Sequence, residues 1–404
     1  MVVFFFSFFF FSSSFFFYFF LLFSPGLAVD AGLGVAANGS LVLQPAPGHG
    51  VYVSGVSVAS LVQRLHEAEQ RAAVCRVAGE PLLLPQVTAT FDHSLWWGGA
   101  LGADGRIYAA PWFASSVLIY DVATGAADLT TLGGLGVQPR KWAGAVPAPD
   151  GRTIYCIPHF AAAVLIVDVD AQTTDMTTMA GFAPEAKWFG GVLAGGKIYG
   201  IPIAATSVLI IDPATRTFDT TAMAGLPEGG FKWWGGVLAA GRIYGMPRDA
   251  RDVLVIEPAT NRTAMLPVAD RSVCKWHAAT VVGNKVYGLP VCTDAVLVVD
   301  VETNATGAVP LDHPGLPNTN KWLGAVPGTD GRVYGIPGAT NAILTLDPAT
   351  NATTLTPVPQ PPGPTTLALW SGAVAGPNGQ YYAMPLVYQG VASVLRVRRA
   401  CDAL

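Results

Sequence analysis

Five lysines occupy one position of a repeated pattern, in which each lysine directly precedes a tryptophan. The chain has only seven lysines in 404 residues, so most of them serve this single position. Five ammonium groups brought to one opening would attract an anionic ligand, because low-dielectric walls focus the electrostatic potential. The alternative is that each lysine is solvated at a rim or bonds the backbone of a neighbouring repeat. The five residues are Lys141, Lys187, Lys232, Lys275 and Lys321.

Histidines and carboxylates offer little further chemistry. His159 follows the second strand of its repeat and is expected beside the lysines as a binding residue. His277 is the one histidine inside a repeat core, where a structural role is more common than a catalytic one. The acidic residue that recurs in each repeat stands at a turn, where a carboxylate accepts backbone N–H groups. The motifs of zinc proteases, phosphate-binding loops and serine hydrolases are absent from the sequence. We therefore assign no catalytic residue, no metal and no cofactor.

An internal repeat supplies the elements that must position these residues. Tryptophan recurs at intervals of 43 to 48 residues, a tyrosine follows each tryptophan after 11 to 13 residues, and a proline follows each tyrosine after three. A period of this length is typical of propeller blades. Aromatic residues at this period are expected to pack between blades. The other interpretation is a ring of aromatic sugar-binding faces. The repeat tryptophans are Trp96, Trp142, Trp188, Trp233, Trp276, Trp322 and Trp370.

Each repeat divides into four short strands. The first has the pattern Trp-Xaa-Gly-Xaa-Val and ends at a turn such as Asp150-Gly151, which tolerates the positive φ of a tight hairpin. The second has the pattern Ile-Tyr-Gly-Ile-Pro, the third ends at an Asp-Pro-Ala-Thr turn, and the fourth is rich in threonine. The sequence therefore predicts an all-β fold, a seven-bladed β-propeller of four-stranded antiparallel blades over residues 80–404.

The seventh repeat lacks a fourth strand, because the chain ends soon after Val397. The segment Leu82–Pro85 is similar to the fourth strands of other repeats. We therefore predict that residues near 81–86 pair with the blade formed by residues 368–398. This pairing would cover an edge that otherwise invites aggregation.

The repeat resembles the kelch-type and YVTN-type propeller repeats. The similarity rests on the apolar first strand, the glycine turn, the Lys/Arg-Ile-Tyr strand and the Val-Leu-Ile-Asp-Pro-Ala-Thr segment, and it extends over residues 80–404. It is a resemblance to a class of repeats and implies the propeller fold.

The residues before the repeats divide into two parts. Residues 1–28 are phenylalanine-rich and signal-like or anchor-like, and the apolar run 2–23 is long enough to span a bilayer. This run fits a secretory signal peptide, an uncleaved anchor, or a gene-model artefact in which a pyrimidine tract was translated. Residues 29–79 are expected to form a linker followed by an amphipathic helix between Ser60 and Cys75.

Two further sets of residues have meaning only in an oxidising compartment. Cys274 and Cys292 flank the hairpin centred on Gly283-Asn284, so antiparallel pairing predicts that they are cross-strand neighbours within disulfide reach. Three sequons occupy the same turn in successive repeats, where the repeat itself calls for this pattern. These glycosylation candidates are Asn261, Asn304 and Asn351.

Composition and the repeat together favour a binding protein. A net charge of −4 argues against nucleic-acid binding, and 51% apolar residues argue against disorder. We expect a secreted or cell-surface propeller that binds a protein or an anionic glycan on its lysine-lined face. The alternatives are a polysaccharide lyase or hydrolase at the channel mouth and a structural repeat protein. A membrane is a partner only if residues 2–23 remain as an anchor.

Overall fold

A computed structural model describes most of the chain from the first strand of the propeller onwards. The described residues are 31–35, 41–45, 52–53, 56–57, 77–83, 95–313, 315–359, 370–386 and 393–399. The phenylalanine-rich segment 1–28 and the helix expected between Ser60 and Cys75 lie outside these residues. Within them, no helix is long and apolar enough to cross a membrane.

The chain divides into two compact units, Met1–Cys75 and Arg76–Leu404. In the first unit, strands β1 (Ala31–Val35) and β2 (Leu41–Pro45) form one antiparallel pair, and β3 (Tyr52–Val53) and β4 (Val56–Ser57) form another. Both pairs fall in the segment that the sequence predicts as a linker.

The second unit contains seven sheets of four antiparallel strands, as the repeat predicts. Blade 1 consists of β6–β9 at Trp96–Leu101, Arg106–Pro111, Leu118–Asp121 and Ala127–Asp128. Blade 2 consists of β10–β13 at Trp142–Pro147, Thr153–Pro158, Leu165–Asp168 and Thr173–Asp175. Blade 3 consists of β14–β17 at Trp188–Ala194, Lys197–Pro202, Leu209–Asp212 and Thr217–Asp219. Blade 4 consists of β18–β21 at Trp233–Ala239, Arg242–Pro247, Asp252–Glu257 and Arg262–Pro267.

The remaining three blades repeat the same order. Blade 5 consists of β22–β25 at Trp276–Val282, Lys285–Pro290, Ala295–Asp300 and Thr306–Pro310. Blade 6 consists of β26–β29 at Trp322–Pro327, Val333–Pro337, Ala342–Leu346 and Thr353–Pro357. Blade 7 consists of β30–β32 and β5 at Trp370–Ala375, Tyr381–Pro385, Ser393–Arg399 and Val77–Leu83.

The ring closes through β5, as predicted. Strand β5 pairs antiparallel with β32, with Leu82 opposite Val394 and Glu80 opposite Arg396, whose side chains form an ion pair. The strand begins at Val77, several residues before the predicted segment, and residues 84–86 of that segment lie outside the described part of the chain. The earliest propeller strand thus completes the last blade, and the edge of that blade is covered.

The inner strands form the ring around the central axis. Each contacts the inner strand of the next blade, and β30 contacts β6. The register between the first and second strands shifts directly after the tryptophan in six blades and one residue later, after Ser371, in blade 7, and this shift is a β-bulge. Blade 2 requires glycine at its bulge because a Cβ on Gly144, whose φ is +83°, would lie 3.0 Å from the Cα of Gly190, whereas blade 5 has Ala278 at the equivalent position. The bulge therefore lets adjacent blades approach backbone to backbone.

The repeat tryptophans are packing residues rather than exposed sugar-binding faces. All seven are at most 3% exposed. Each indole N–H donates to the carbonyl at the start of the third strand of its own blade, as Trp276 does to Ala295 at 2.8 Å. The repeat tyrosines are buried as well, from Tyr108 to Tyr382. The interpretation of both columns as inter-blade packing is confirmed.

Turns at the other end of the blades account for the acidic column and the sequons. Asp300 accepts N–H groups from Glu302 and Thr303, and the other acidic residues of the column, such as Asp121, accept similar bonds. The sequon asparagines are exposed and have positive φ, between 52° and 58°. Gln172 has the same conformation in blade 2. Asparagine adopts this left-handed conformation readily, so turn geometry explains its presence here.

Replacing one repeat tryptophan tests the contribution of these bonds. We expect Trp276→Phe to lower the free energy of unfolding by about 2 kcal/mol, because a buried carbonyl loses its donor. Tyr381→Phe is the matched control: it also removes a donor to a backbone carbonyl, that of Pro327, but at an exposed position. Urea unfolding followed by circular dichroism measures both. A loss that is equal in the two variants would contradict the assignment.

Candidate functional site

The five lysines do not line an open mouth. Each is at most 5% exposed, and each ammonium group donates to backbone carbonyls. In blades 2, 4, 5 and 6 the bonds run to the loop that follows the second strand of the preceding blade and, in three of these, also to the loop that leads into the lysine's own blade. Lys187 bonds only its own loop, at Ala183 and Glu185. For four of the five lysines the geometry thus matches the alternative interpretation, a lysine that bonds the backbone of a neighbouring repeat.

Backbone hydrogen bonds through the same residues link one blade to the next. The residue after the second-strand proline donates its N–H to the lysine carbonyl of its own blade, and its carbonyl accepts the lysine N–H of the following blade. In blades 4 and 5, Arg248 donates to Lys232 at 2.9 Å, and Lys275 donates to Arg248 at 2.9 Å. The same alternation joins blades 1 and 2, 3 and 4, and 5 and 6.

Burial perturbs these lysines, and one has a carboxylate partner. Desolvation lowers the pKa of Lys141, Lys187 and Lys232 to about 8. The Lys321 ammonium lies 2.9 Å from the Asp294 carboxylate as well as bonding two carbonyls. The ammonium groups are therefore engaged by backbone carbonyls and, at Lys321, by a carboxylate inside the protein.

Removing one ammonium group should destabilise the ring. We expect Lys275→Met to lower the free energy of unfolding by about 3 kcal/mol, because the carbonyls of Arg248 and Ser272 lose a buried donor. Lys285→Met, at the start of the second strand of the same blade and only partly buried, is the control and should cost less than about 1 kcal/mol. Equal losses in urea unfolding would show that Lys275 is not a structural bridge.

The residue after each repeat tryptophan points toward the central axis. Trp97 of blade 1 lies 6.0 Å from Trp234 of blade 4 and 6.1 Å from His277 of blade 5, measured between ring centroids. Side chains of non-adjacent blades can meet in this way only across the axis. The β-bulge directs the chain there. This first axial column is Trp97, Ala143, Phe189, Trp234, His277, Leu323 and Ser371.

A second column joins it at the same end of the channel. It is formed by the residue after the second-strand proline, and its members contact the first column: Trp112 lies 5.6 Å from Trp97, and the Arg248 guanidinium lies 5.0 Å from the Trp234 ring. The second column is Trp112, His159, Ile203, Arg248, Val291, Gly338 and Leu386. Together the aromatic and basic members of the two columns form what we call the axial cluster: Trp97, Trp112, His159, Phe189, Trp234, Arg248 and His277.

Both histidines of the axial cluster are buried and neutral. His159 stacks on Trp112 at 5.0 Å, and its Nδ1 lies 3.2 Å from the Trp188 carbonyl. Desolvation lowers the pKa of His159 to about 4, against the raising effect of that bond. Desolvation and then the charge of Arg248 lower the pKa of His277 to about 3. Neither ring nitrogen of His277 has a hydrogen-bond partner among the described residues.

Arg248 connects the axial cluster to the exposed loops around it. Its guanidinium lies 4.5 Å from the Phe231 ring and donates from Nη1 to both carboxylate oxygens of Asp249. Phe231 is 51% exposed, and Val137 and Val273, in the equivalent loops of blades 2 and 5, are 80% and 67% exposed. We call these three residues the apolar rim. The mouth therefore presents the apolar rim with the partly buried Trp97 and Arg248, while the other members of the axial cluster are buried.

Cys274 and Cys292 form a disulfide beside this mouth. Their Cα atoms are 5.4 Å apart, and Cys292 N–H donates to the Cys274 carbonyl. The register of the hairpin explains the pairing, since Trp276 lies opposite Pro290 two residues further in. Cys156 is free and buried, whereas Cys75 and Cys401 lie outside the described residues.

Sequence reasoning chose the constant columns and missed the variable ones. Of the binding residues predicted from the sequence, only His159 lies in the axial cluster, and His277, for which a structural role was expected, lies there as well. The signal that marks the cluster is variation inside the repeat: tryptophan, tyrosine and proline recur in every blade, while the neighbouring positions change from blade to blade. No group of three His, Cys, Asp or Glu side chains suited to a metal ion occurs within the described ranges.

No protein-family model matches the sequence, and no curated protein matches it. Solved structures share the fold. A streptogramin B lyase superposes with a TM-score of 0.61 at 11% identity, covering 80% of this chain and 98% of that one. A catalytically inactive histidine-to-alanine variant of virginiamycin B lyase from Staphylococcus aureus, solved with quinupristin, gives 0.63 at 10% identity, covering 80% and 99%.

Propellers with other roles are similar to the same degree. The extracellular domain of BT4673 from B. thetaiotaomicron gives a TM-score of 0.57 at 11% identity, covering 78% of this chain and 40% of that one. The WD40 repeats of RRP9 give 0.58 at 11% identity, covering 80% and 99%. At these identities the likeness establishes the class of the fold alone. The chain is a seven-bladed β-propeller.

The buried histidines should make stability pH-dependent. Both have a folded pKa below the usual value near 6.5, so the unfolded chain binds more protons between these values and stability is lost as pH falls from 7 toward 4. Between pH 7 and pH 5, we expect the free energy of unfolding of His277→Phe to fall by about 2 kcal/mol less than that of the wild type. His159→Phe should behave in the same way. Urea unfolding at the two pH values measures these losses. An equal loss of unfolding free energy in the variant and the wild type would contradict the burial of a neutral imidazole.

Proposed function

We propose that this protein is a non-catalytic binding propeller whose binding surface is the mouth formed by the axial cluster and the apolar rim. One observation carries the proposal: side chains vary between blades at the two axial columns, while the packing columns stay constant. A purely structural repeat has no need to place four aromatic rings, two histidines and an arginine together at one end of the channel.

The chemistry of the mouth favours a protein partner. Tryptophan and arginine are enriched among the residues that dominate protein interfaces, and Arg248 lies between Phe231 and Trp234. The exposed apolar rim suits apolar side chains of a partner. Exposed Arg140, directly before Lys141, would meet an acidic group. An anionic glycan is less suited to this surface, because the ammonium groups of the five lysines are buried and donate hydrogen bonds to backbone carbonyls.

A lyase is the second candidate, favoured by one residue. His277 is buried, and its ring nitrogens have no partner in the described part of the chain. A histidine-to-alanine variant of a lyase of the same fold is catalytically inactive. Acid–base catalysis would need a second group nearby. The carboxylate of Asp249, which bonds Arg248 of the axial cluster, also accepts the N–H of Cys274. Binding therefore agrees better with the contacts.

A secreted or cell-surface location agrees with this function. The Cys274–Cys292 disulfide persists in an oxidising compartment, and one neighbour of the same fold is an extracellular domain.

Site-specific photocrosslinking tests the proposed surface. Benzoylphenylalanine at position 231 should give one dominant adduct in extract of the source cells. The same group at position 238 is the control, since Leu238 is 40% exposed near the opposite end of the first strand of the same blade. The partner, once identified and purified, should bind Phe231→Asp at least about tenfold more weakly than the wild type. Equal adducts at the two positions, or unchanged affinity of Phe231→Asp, would overturn the proposal.

A further inference from the structure

Four unpartnered polar atoms gather in one part of the axial cluster. Among the described residues, seven buried side-chain nitrogen and oxygen atoms lack a hydrogen-bond partner. Four of the seven belong to Trp234 and the two residues that flank it: both ring nitrogens of His277, Nε1 of Trp234 and Nε of Arg248. The rings of His277 and Trp234 are 4.6 Å apart, and the Arg248 guanidinium lies 5.0 Å from the Trp234 ring.

Burying these four polar atoms without hydrogen-bond partners costs free energy unless a ligand bonds to them. Each unpaired buried polar group costs about 1–3 kcal/mol, and native proteins hold only a few such groups. The equivalent residues of other blades show that the fold does not require them, since blade 6 has Leu323 and Gly338 in the same two positions. His277 is 6% exposed and Trp234 9%, so bulk water does not satisfy these atoms.

The donor set selects an acceptor group. Trp234 and Arg248 are donors only, and neutral His277 adds one ring N–H. A carboxylate accepts several donors at its two oxygens, and the Nε edge of a guanidinium pairs with it side by side. Asp249 occupies Nη1 of Arg248 and leaves Nε without a protein partner.

The surroundings select an apolar body for the same ligand. Trp97 and Phe189 both lie within 6.1 Å of His277 by ring centroid, so the donors stand among aromatic rings. A flat apolar group gains most from such walls. A small inorganic anion would gain only the donors.

We infer that His277, Trp234 and Arg248 form a binding site for a small monocarboxylic acid with a flat apolar body. The site lies inside the mouth and does not depend on the protein partner proposed above. The acid is bound and not transformed.

Titration calorimetry of the full-length protein with benzoate tests the site. Benzoate should bind with saturation at one site per chain. Benzamide, which has the same shape without the charge, should bind at least about tenfold more weakly, and acetate should bind more weakly than benzoate because it lacks the ring. Absence of saturable benzoate binding, or equal binding of benzamide, would overturn the inference and leave ordered water as the partner of these atoms.

Variants locate the bound benzoate. Arg248→Met and His277→Phe should each weaken binding at least about tenfold, and Arg248→Lys should also weaken it because the planar fork is lost. Arg242→Met is the matched control, since Arg242 begins the strand that Arg248 follows and lies at its other end. Thermal unfolding verifies that each variant folds. Binding unchanged in both His277→Phe and Arg248→Lys would place benzoate elsewhere. Crosslinking at position 231 reports on the partner surface separately, so each proposal can fail alone.

Discussion

The link at the lysine position, present between blades 1 and 2, 3 and 4, 4 and 5, and 5 and 6, is the interaction from which the position of the site follows. Within the described residues each blade is a separate sheet, so neighbouring blades are joined by side-chain packing and by contacts such as this junction. There, one residue donates to its own blade and accepts from the next, and the lysine ammonium bonds carbonyls of the same loops. Because the charge is buried among carbonyl dipoles, its loss would leave several acceptors unpaired at once.

This junction also explains why the site lies where it does. The backbone of the second axial column is committed to the inter-blade bonds, whereas its side chains are not. The first column lies one residue beyond the packed tryptophan, on the other side of the strand. Neither column is needed for closure, so residues there can change between blades without disturbing the ring. Ala143 and Phe189 occupy the same position in adjacent blades.

The sequence was sufficient to predict what depends on period and pairing. The number of blades, the order of strands, the closure by the segment around Leu82 and the proximity of Cys274 to Cys292 all follow from the repeat and the register. The surroundings of the lysines did not follow. They depend on loops in which Arg140 and Phe231 adopt positive φ. Neither residue is glycine, so the residue types do not predict this conformation. The axial cluster was missed because its residues have no period.

The disulfide adds rigidity where the axial cluster needs it. Cys274 directly precedes Lys275, and its N–H donates to Asp249, the partner of Arg248. The carbonyl of Cys292 accepts the ammonium of Lys321 in the next blade. The bridge therefore joins the loop before His277 to the loop after the second strand of blade 5, and the Cys274 N–H bond connects it to the loop that carries Arg248. A site that holds a ligand by three donors requires their positions to be fixed before it binds. Blade 5 accordingly carries Cys274 of the disulfide, the inter-blade lysine Lys275 and the axial-cluster residue His277 within four residues of one another, in its first strand and the loop before it.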